Sequence, residues 1–148
     1  DVNLIGALLT AAEAVGGAAA ALDLTVEYLK NRQQFGKFIG SYQALKHPTV
    51  DVLNEMEGAR SLLYHAATIV TNSPLDTHME IACRMAKAHA TETLLYAGYR
   101  AVQFHGGMGY MEETWTSRYF RDARLLSIGG GADEVMLQVL ARVDGLTA

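Results

Sequence analysis

Apolar residues recur along this chain in steps of three and four, the spacing of one face of an α-helix. Leu4, Leu8, Ala11, Val15, Ala18, Leu22, Thr25 and Leu29 form one stripe. Val52, Met56, Ala59, Leu63, Ala66 and Val70 form a second, and Ile81, Met85, Ala88, Glu92, Leu95, Tyr99 and Val102 a third. Glu92 is the one polar member. Each stripe must bury against another helix, and the near-seven period favours shallow crossings of about 20°. β-branched alternation is scarce. The pattern predicts an all-α antiparallel bundle of four or five helices.

Local chemistry sets the expected boundaries. Ser41 is placed to cap the second helix, and Thr77 with Glu80 reads as a T-x-x-E capping box for the third, after "NSPLD". "HGGMGY" ends the third helix, because glycine tolerates positive φ. "EETWTSRYFRDARLL" reads as a fourth, weaker helix. Gly129, Gly130 and Gly131 then open a last helix from Asp133 to Val143. Pro48 allows two readings: a kink inside the second helix, or a helix that starts there, with 41–47 as a separate turn.

The chain has 148 residues, half of them hydrophobic, which is enough for one domain with a core and argues against disorder. Its net charge of −4, with no basic run, argues against nucleic acid as the main partner. The single cysteine, Cys83, excludes an intrachain disulfide and reads as a small core residue. Charges break the apolar stretches, and none reads as a membrane span. The start, "DVNLIGALLTAAEAVGG", has no basic n-region and no initiator methionine. The expectation is a single helical domain over 1–148, one piece of a longer cytoplasmic protein.

The five histidines lack the spacings of metal sites, so no metal is expected. Ser61 and Ser127 have no base nearby in sequence. Three features remain. In "NRQQFGKFIGSYQ", Arg32 is either a helix-end cation or a fork for an anion, beside Phe35 and Gly36. In "QFHGGMGY", the glycines either end a helix or bare the backbone to a ligand, with Gln103 supplying an amide. The glycine triplet with the next helix start could receive an anion or a carbonyl oxygen, but Asp133 and Glu134 would repel a phosphate there. A hydroxyl-rich group such as a ribose suits those carboxylates better.

Taken in order, "NRQQFGKFIGSYQALKH", "AVQFHGGMGYMEE" and "YFRDARLLSIGGGADEVM" resemble the C-terminal helical domain of the acyl-CoA dehydrogenase family, over nearly the whole chain. The resemblance implies an FAD enzyme that converts an acyl-CoA thioester to a 2-enoyl-CoA. A carboxylate takes the α-proton while the β-hydride passes to the flavin. Electrons then leave to an electron-transferring flavoprotein. It also implies a homo- or hetero-oligomer, usually a tetramer, and a β domain absent from this sequence.

By position, the resemblance puts Arg32 on the FAD pyrophosphate, Phe35 near the adenine and Gln43 on the same cofactor, the FAD bound mainly by a neighbouring subunit. Gln103, His105, Gly106 and Gly107 would line the FAD of a partner protomer. Ala132, Asp133 and Glu134 match the family's T-x-E/Q segment on the flavin nucleotide, with Ala132 replacing the usual threonine. Arg118, Arg121, Asp122 and Arg124 read as an ion-pair set. Gly130 and Gly131 would face substrate. The family's base is a glutamate in a Y-E-G-T segment or, in a subgroup, on the first helix. Those positions here are Gly130 and Gly6, and Ala7 stands where an arginine often follows the second. Glu13, the nearest acid on that helix, is about 10 Å further along at 1.5 Å per residue. Three readings follow: a dehydrogenase domain whose base comes from another segment or subunit, a non-catalytic assembly module or silent subunit that completes a partner's FAD site, or a flavin oxidation of a nitrogen or nitroalkane substrate. The small residues Gly6, Ala7 and Ala11 point to a roomy acyl site.

Overall fold

The computed structural model describes residues 2–72 and 76–146; Pro74 lies outside them. Six helices are joined in the order α1 (Val2–Asn31), α2 (Gln43–Asn72), α3 (Thr77–His105), α4 (Gly107–Tyr110), α5 (Trp115–Ile128) and α6 (Asp133–Val143). A two-stranded hairpin, β1 (Gln33–Gln34) and β2 (Lys37–Phe38), and a 3-10 turn at Ile39–Ser41 link α1 to α2. Leu4 packs with Met79 and Cys83, while Tyr28 stacks on His105, so α1 and α3 run parallel. The chain reverses between them through α2, and α5 returns along α3 with Phe120 at Gly98 and Ser127 at Lys87.

The first two stripes bury as their spacing predicts. Leu4, Ala11, Val15, Ala18, Leu22, Thr25 and Leu29 are buried on α1, as are Val52, Met56, Ala59 and Ala66 on α2. By length and apolar composition α1 could cross a membrane, although charges punctuate its sequence. Its stripe instead packs against core residues of α2 and α3.

The third stripe is corrected. Met85, Glu92 and Tyr99 are exposed, and Ile81, Leu95 and Val102 are only partly buried. α3 lies at the centre, touched by α1, α2, α5 and α6, and its buried faces carry small residues: Ala82, Cys83, Ala86, Ala90, Ala97, Gly98 and Ala101. Large apolar residues mark the wrong face because close helix approach needs small ones. A Cβ on Gly98 would stand 3.0 Å from the Phe120 Cα. Met85 and Leu95, with the buried Ala88, line a groove of about 580 Å³ together with Leu62, Arg124 and Leu137. Burial pushes the Cys83 thiol pKa up, and Arg84 partly opposes this.

Two boundary expectations also change, and one of the two readings of Pro48 is selected. Asp76, not Thr77, caps α3: its carboxylate accepts from the Met79 N–H at 3.0 Å. Glu80 pairs with Arg84 at 2.8 Å. Ser41 does not cap α2; its hydroxyl donates to the Phe38 carbonyl inside the 3-10 turn. Instead the Tyr42 carbonyl accepts from the Leu45 and Lys46 N–H groups at the helix start. α2 therefore begins before Pro48 and carries it inside. The arginines of α5 form no ion pair with Asp122; Arg118 lies over the Trp115 ring at 4.5 Å.

Candidate functional site

The residues singled out in the sequence gather at two places on the bundle. Arg32, Phe35, Gln43, Gln103, His105, Gly106 and Gly107 sit at the end where α1 and α3 finish and α2 starts. Gly6, Gly130, Gly131, Ala132, Asp133 and Glu134 sit near the start of α1. From Thr10 to Tyr28 the helix rises about 27 Å at 1.5 Å per residue. No single compact ligand spans both groups.

At the hairpin end, Phe35 and Gly36 are the two central residues of the turn, and both have positive φ, 53° and 81°. That is type I′ geometry, which matches the twist of a two-residue hairpin and favours Asn-Gly. A phenylalanine in that conformation is strained by about 1–3 kcal/mol. It gains no packing in return, because its side chain is 92% exposed. Arg32 is exposed and carries no ion pair among the described residues, while its carbonyl accepts from the Ile39 N–H at 2.8 Å. The Lys37 ammonium lies over the Tyr42 ring at 4.2 Å.

The same end is braced by His105. Its ring stacks on Tyr28 with centroids 4.2 Å apart, and Nδ1 lies 2.8 Å from the Ala101 carbonyl, so Nδ1–H donates. Burial pushes its pKa below the ordinary value, with that hydrogen bond opposing in part. The ring is therefore turned into the fold. Gly106 follows at φ 61°, and a Cβ at Gly106 or Gly107 would meet nothing within 4 Å. The Gly106 N–H donates to the Gln103 carbonyl at 3.2 Å, while the exposed amide of Gln103 and the exposed Arg32 guanidinium leave donors facing solvent.

At the other place, the glycine triplet is a turn that needs glycine. Gly130 has φ 70° and Gly131 φ 110°, and a Cβ on Gly131 would collide with the Met136 methyl group. Beneath it lies Lys87, which is fully buried. Its ammonium donates to the Asp133 carboxylate at 2.7 Å, the Gly131 carbonyl at 2.7 Å and the Ser127 carbonyl at 3.3 Å. The Thr91 hydroxyl lies 2.9 Å from both Asp133 oxygens. Three ammonium protons and one hydroxyl proton serve two carbonyl and two carboxylate oxygens, so the cluster is satisfied. The Asp133 carboxylate is thus held against Lys87 and Thr91, and Asp133 and Glu134 line the groove. Sequence reasoning missed Lys87 and Thr91. The available signal was a lysine flanked by Ala86 and Ala88, with Ala90 and Thr91 a turn later.

The two positions at which the resemblance looks for a carboxylate come together. The Thr10 hydroxyl donates to the Gly6 carbonyl at 2.9 Å and lies 3.6 Å from where a Gly130 Cβ would stand. No carboxylate occupies the spot. A threonine hydroxyl stays protonated at neutral pH and does not replace one as a base. Among the described residues, no three His, Cys, Asp or Glu side chains are grouped to hold a metal ion.

Residues 5–144 match the family model described as "Acyl-CoA dehydrogenase, C-terminal domain". The caffeyl-CoA reductase-Etf complex subunit CarC of Acetobacterium woodii is 36% identical over 137 residues, covering 93% of this chain and 35% of that protein. The probable acyl-CoA dehydrogenase YngJ of Bacillus subtilis is 40% identical over 138 residues, 93% of this chain and 35% of that protein. The solved butyryl-CoA dehydrogenase of Megasphaera elsdenii superposes with a TM-score of 0.90 at 35% identity, over 95% of this chain and 36% of that one. The chain thus spans about a third of the length of the relatives it matches. The family match, the bundle and the three motifs converge: this chain belongs to the acyl-CoA dehydrogenase family, in which it corresponds to the C-terminal helical domain.

Proposed function

We propose that this chain is the C-terminal part of an FAD-dependent oxidoreductase that converts an acyl-CoA thioester to a 2-enoyl-CoA, acting as a homo- or hetero-oligomer. The observation that carries the reading is the separation of its two groups of flavin-motif residues along α1, by about 27 Å at 1.5 Å per residue. One group serves the flavin of the chain's own protomer, and the other reaches the flavin of a neighbour. The residues fit such a cofactor. Arg32 is an unpaired guanidinium suited to a pyrophosphate, Phe35 a fully presented ring for the adenine end, and Gln43 and Gln103 exposed amides. His105 holds Gly106 and Gly107 in place, and those glycines admit close approach.

When bound, the flavin supplies the acceptor for the β-hydride. This chain supplies orientation. Ala132 and Glu134 contact the nucleotide at the start of α6, Asp133 contributes through its backbone, and Gly130 and Gly131 leave room for the thioester. The proton acceptor comes from another segment or subunit, because Gly6 and Gly130 carry no carboxylate. Electrons pass on to an electron-transferring flavoprotein, and the setting is cytoplasmic.

The same two glycines favour a second reading, a silent subunit that completes a partner's FAD site. Expression of the full-length parent, alone and with any co-encoded partner, separates the two. The dehydrogenase reading expects flavin absorbance that bleaches with acyl-CoA. Bleaching by the parent alone defeats the silent-subunit reading, and absence of flavin in every combination defeats both.

A further inference from the structure

The Lys87 cluster has a consequence for the surface above it. The peptide between Gly131 and Ala132 is planar and trans, so its carbonyl and its N–H point in opposite directions. Lys87 draws the Gly131 carbonyl inward at 2.7 Å. The Ala132 N–H on the same plane is therefore turned outward, at the start of α6. Val135 and Met136 donate to the Ala132 carbonyl, closing the helix beneath it, and no side chain caps this end. The donor is left for a ligand.

We propose that Lys87 is a positioning residue for the flavin-nucleotide contact: it fixes the Gly131–Ala132 peptide so that the Ala132 N–H faces the cofactor. The inference rests on the flavin reading above. It explains how the segment works with alanine at position 132, where a side-chain hydroxyl is missing and the backbone donor remains. It also explains a fully buried ammonium directly beneath a turn of positive-φ glycines. Two positive-φ glycines alone leave the peptide orientation loosely set, and the ammonium selects one orientation. Thr91 holds Asp133 but does not touch the Gly131 carbonyl, so it separates holding the cluster from aiming the peptide.

The test is a double-mutant cycle in the full-length flavoprotein, read as the FAD dissociation constant. Ala132→Pro deletes the N–H and suits the φ of −58° found there. Lys87→Met with Asp133→Asn frees the Gly131 carbonyl without leaving an unpaired buried charge. Each change is expected to weaken FAD by up to about tenfold, the net value of one hydrogen bond. Because both act through one donor, the combination weakens FAD about tenfold, not about a hundredfold. Thr91→Val lowers thermal stability and leaves the FAD dissociation constant within about twofold.

A hundredfold loss in the combination overturns the role of Lys87, as does full FAD affinity in the Lys87→Met, Asp133→Asn variant. If that variant does not fold, Lys87→Leu with Asp133→Asn takes its place in the cycle, and unchanged affinity there or in Ala132→Pro overturns the proposal. A wild-type parent that takes up no FAD overturns the flavin reading instead.

Discussion

Gly6 and Gly130 meet across one hydroxyl: Thr10 bonds to the carbonyl of the first and lies 3.6 Å from the missing Cβ of the second. The two positions where the resemblance looks for a base thus lie on either side of Thr10, one on α1 and one in the turn between α5 and α6. They are not equivalent. Gly130 has a φ of 70°, which disfavours any side chain, while Gly6 is helical with nothing within 4 Å of its Cβ position.

Gly6→Glu is therefore expected to be neutral or to stabilise the fold by up to about 0.5 kcal/mol, through helix propensity. Gly130→Glu is expected to destabilise it by about 1 kcal/mol or more. Thermal unfolding of the two variants checks the order. Under the silent-subunit reading, Gly6→Glu rather than Gly130→Glu is the variant expected to gain acyl-CoA-dependent bleaching in the full-length parent.

The strained Phe35 links stability to function with opposite signs. Phe35→Asn relieves the positive φ and is expected to raise stability by about 1 kcal/mol in thermal unfolding. The same change removes a ring that is 92% exposed and so is expected to weaken FAD retention in the parent. A loss of stability on Phe35→Asn would contradict the strain.

Gly98 sets the approach of α3 to α5. Gly98→Ala puts a methyl group 3.0 Å from the Phe120 Cα and 3.2 Å from its nitrogen, where backbone must move. A destabilisation of about 1–3 kcal/mol is expected in denaturant unfolding.

His105 gives a pH dependence whose sign follows from its burial. Its folded pKa lies below the ordinary value near 6.5, so the unfolded chain binds more protons in that range. The stabilising effect of the neutral ring is complete above about pH 6.5 and is lost as pH falls toward the lower folded value. His105→Phe keeps a ring against Tyr28 and is expected to flatten the dependence between pH 8 and pH 5, measured as thermal midpoint against pH. Equal slopes in the two proteins would remove His105 as the cause.

The fold was legible where burial falls on regularly spaced large residues. Leu4 to Leu29 and Val52 to Ala66 mark true core faces. It was not legible on α3, where Ala86, Ala90, Ala97 and Gly98 make the packing surface and Met85 and Tyr99 face outward. Surrounded on several sides, that helix has no single apolar stripe to read. The glycine motifs were visible as sequence, but what holds them was not. Lys87 precedes Gly131 by more than forty residues, and only tertiary contact reveals that a lysine on an alanine-rich helix is a buried clamp. The same holds for Thr10, an unremarked residue until α1 and the turn come together.

The central claim is that the two groups of flavin residues on this chain serve two different flavins. It is tested most directly by complementation between full-length subunits. Arg32→Ala damages one end, and Ala132→Pro the other. Each variant alone is expected to retain little FAD, whereas co-expression with distinguishable tags should give mixed oligomers that regain part of the flavin absorbance, because some sites then receive an intact half from each subunit. Mixed oligomers that regain no flavin would contradict the account.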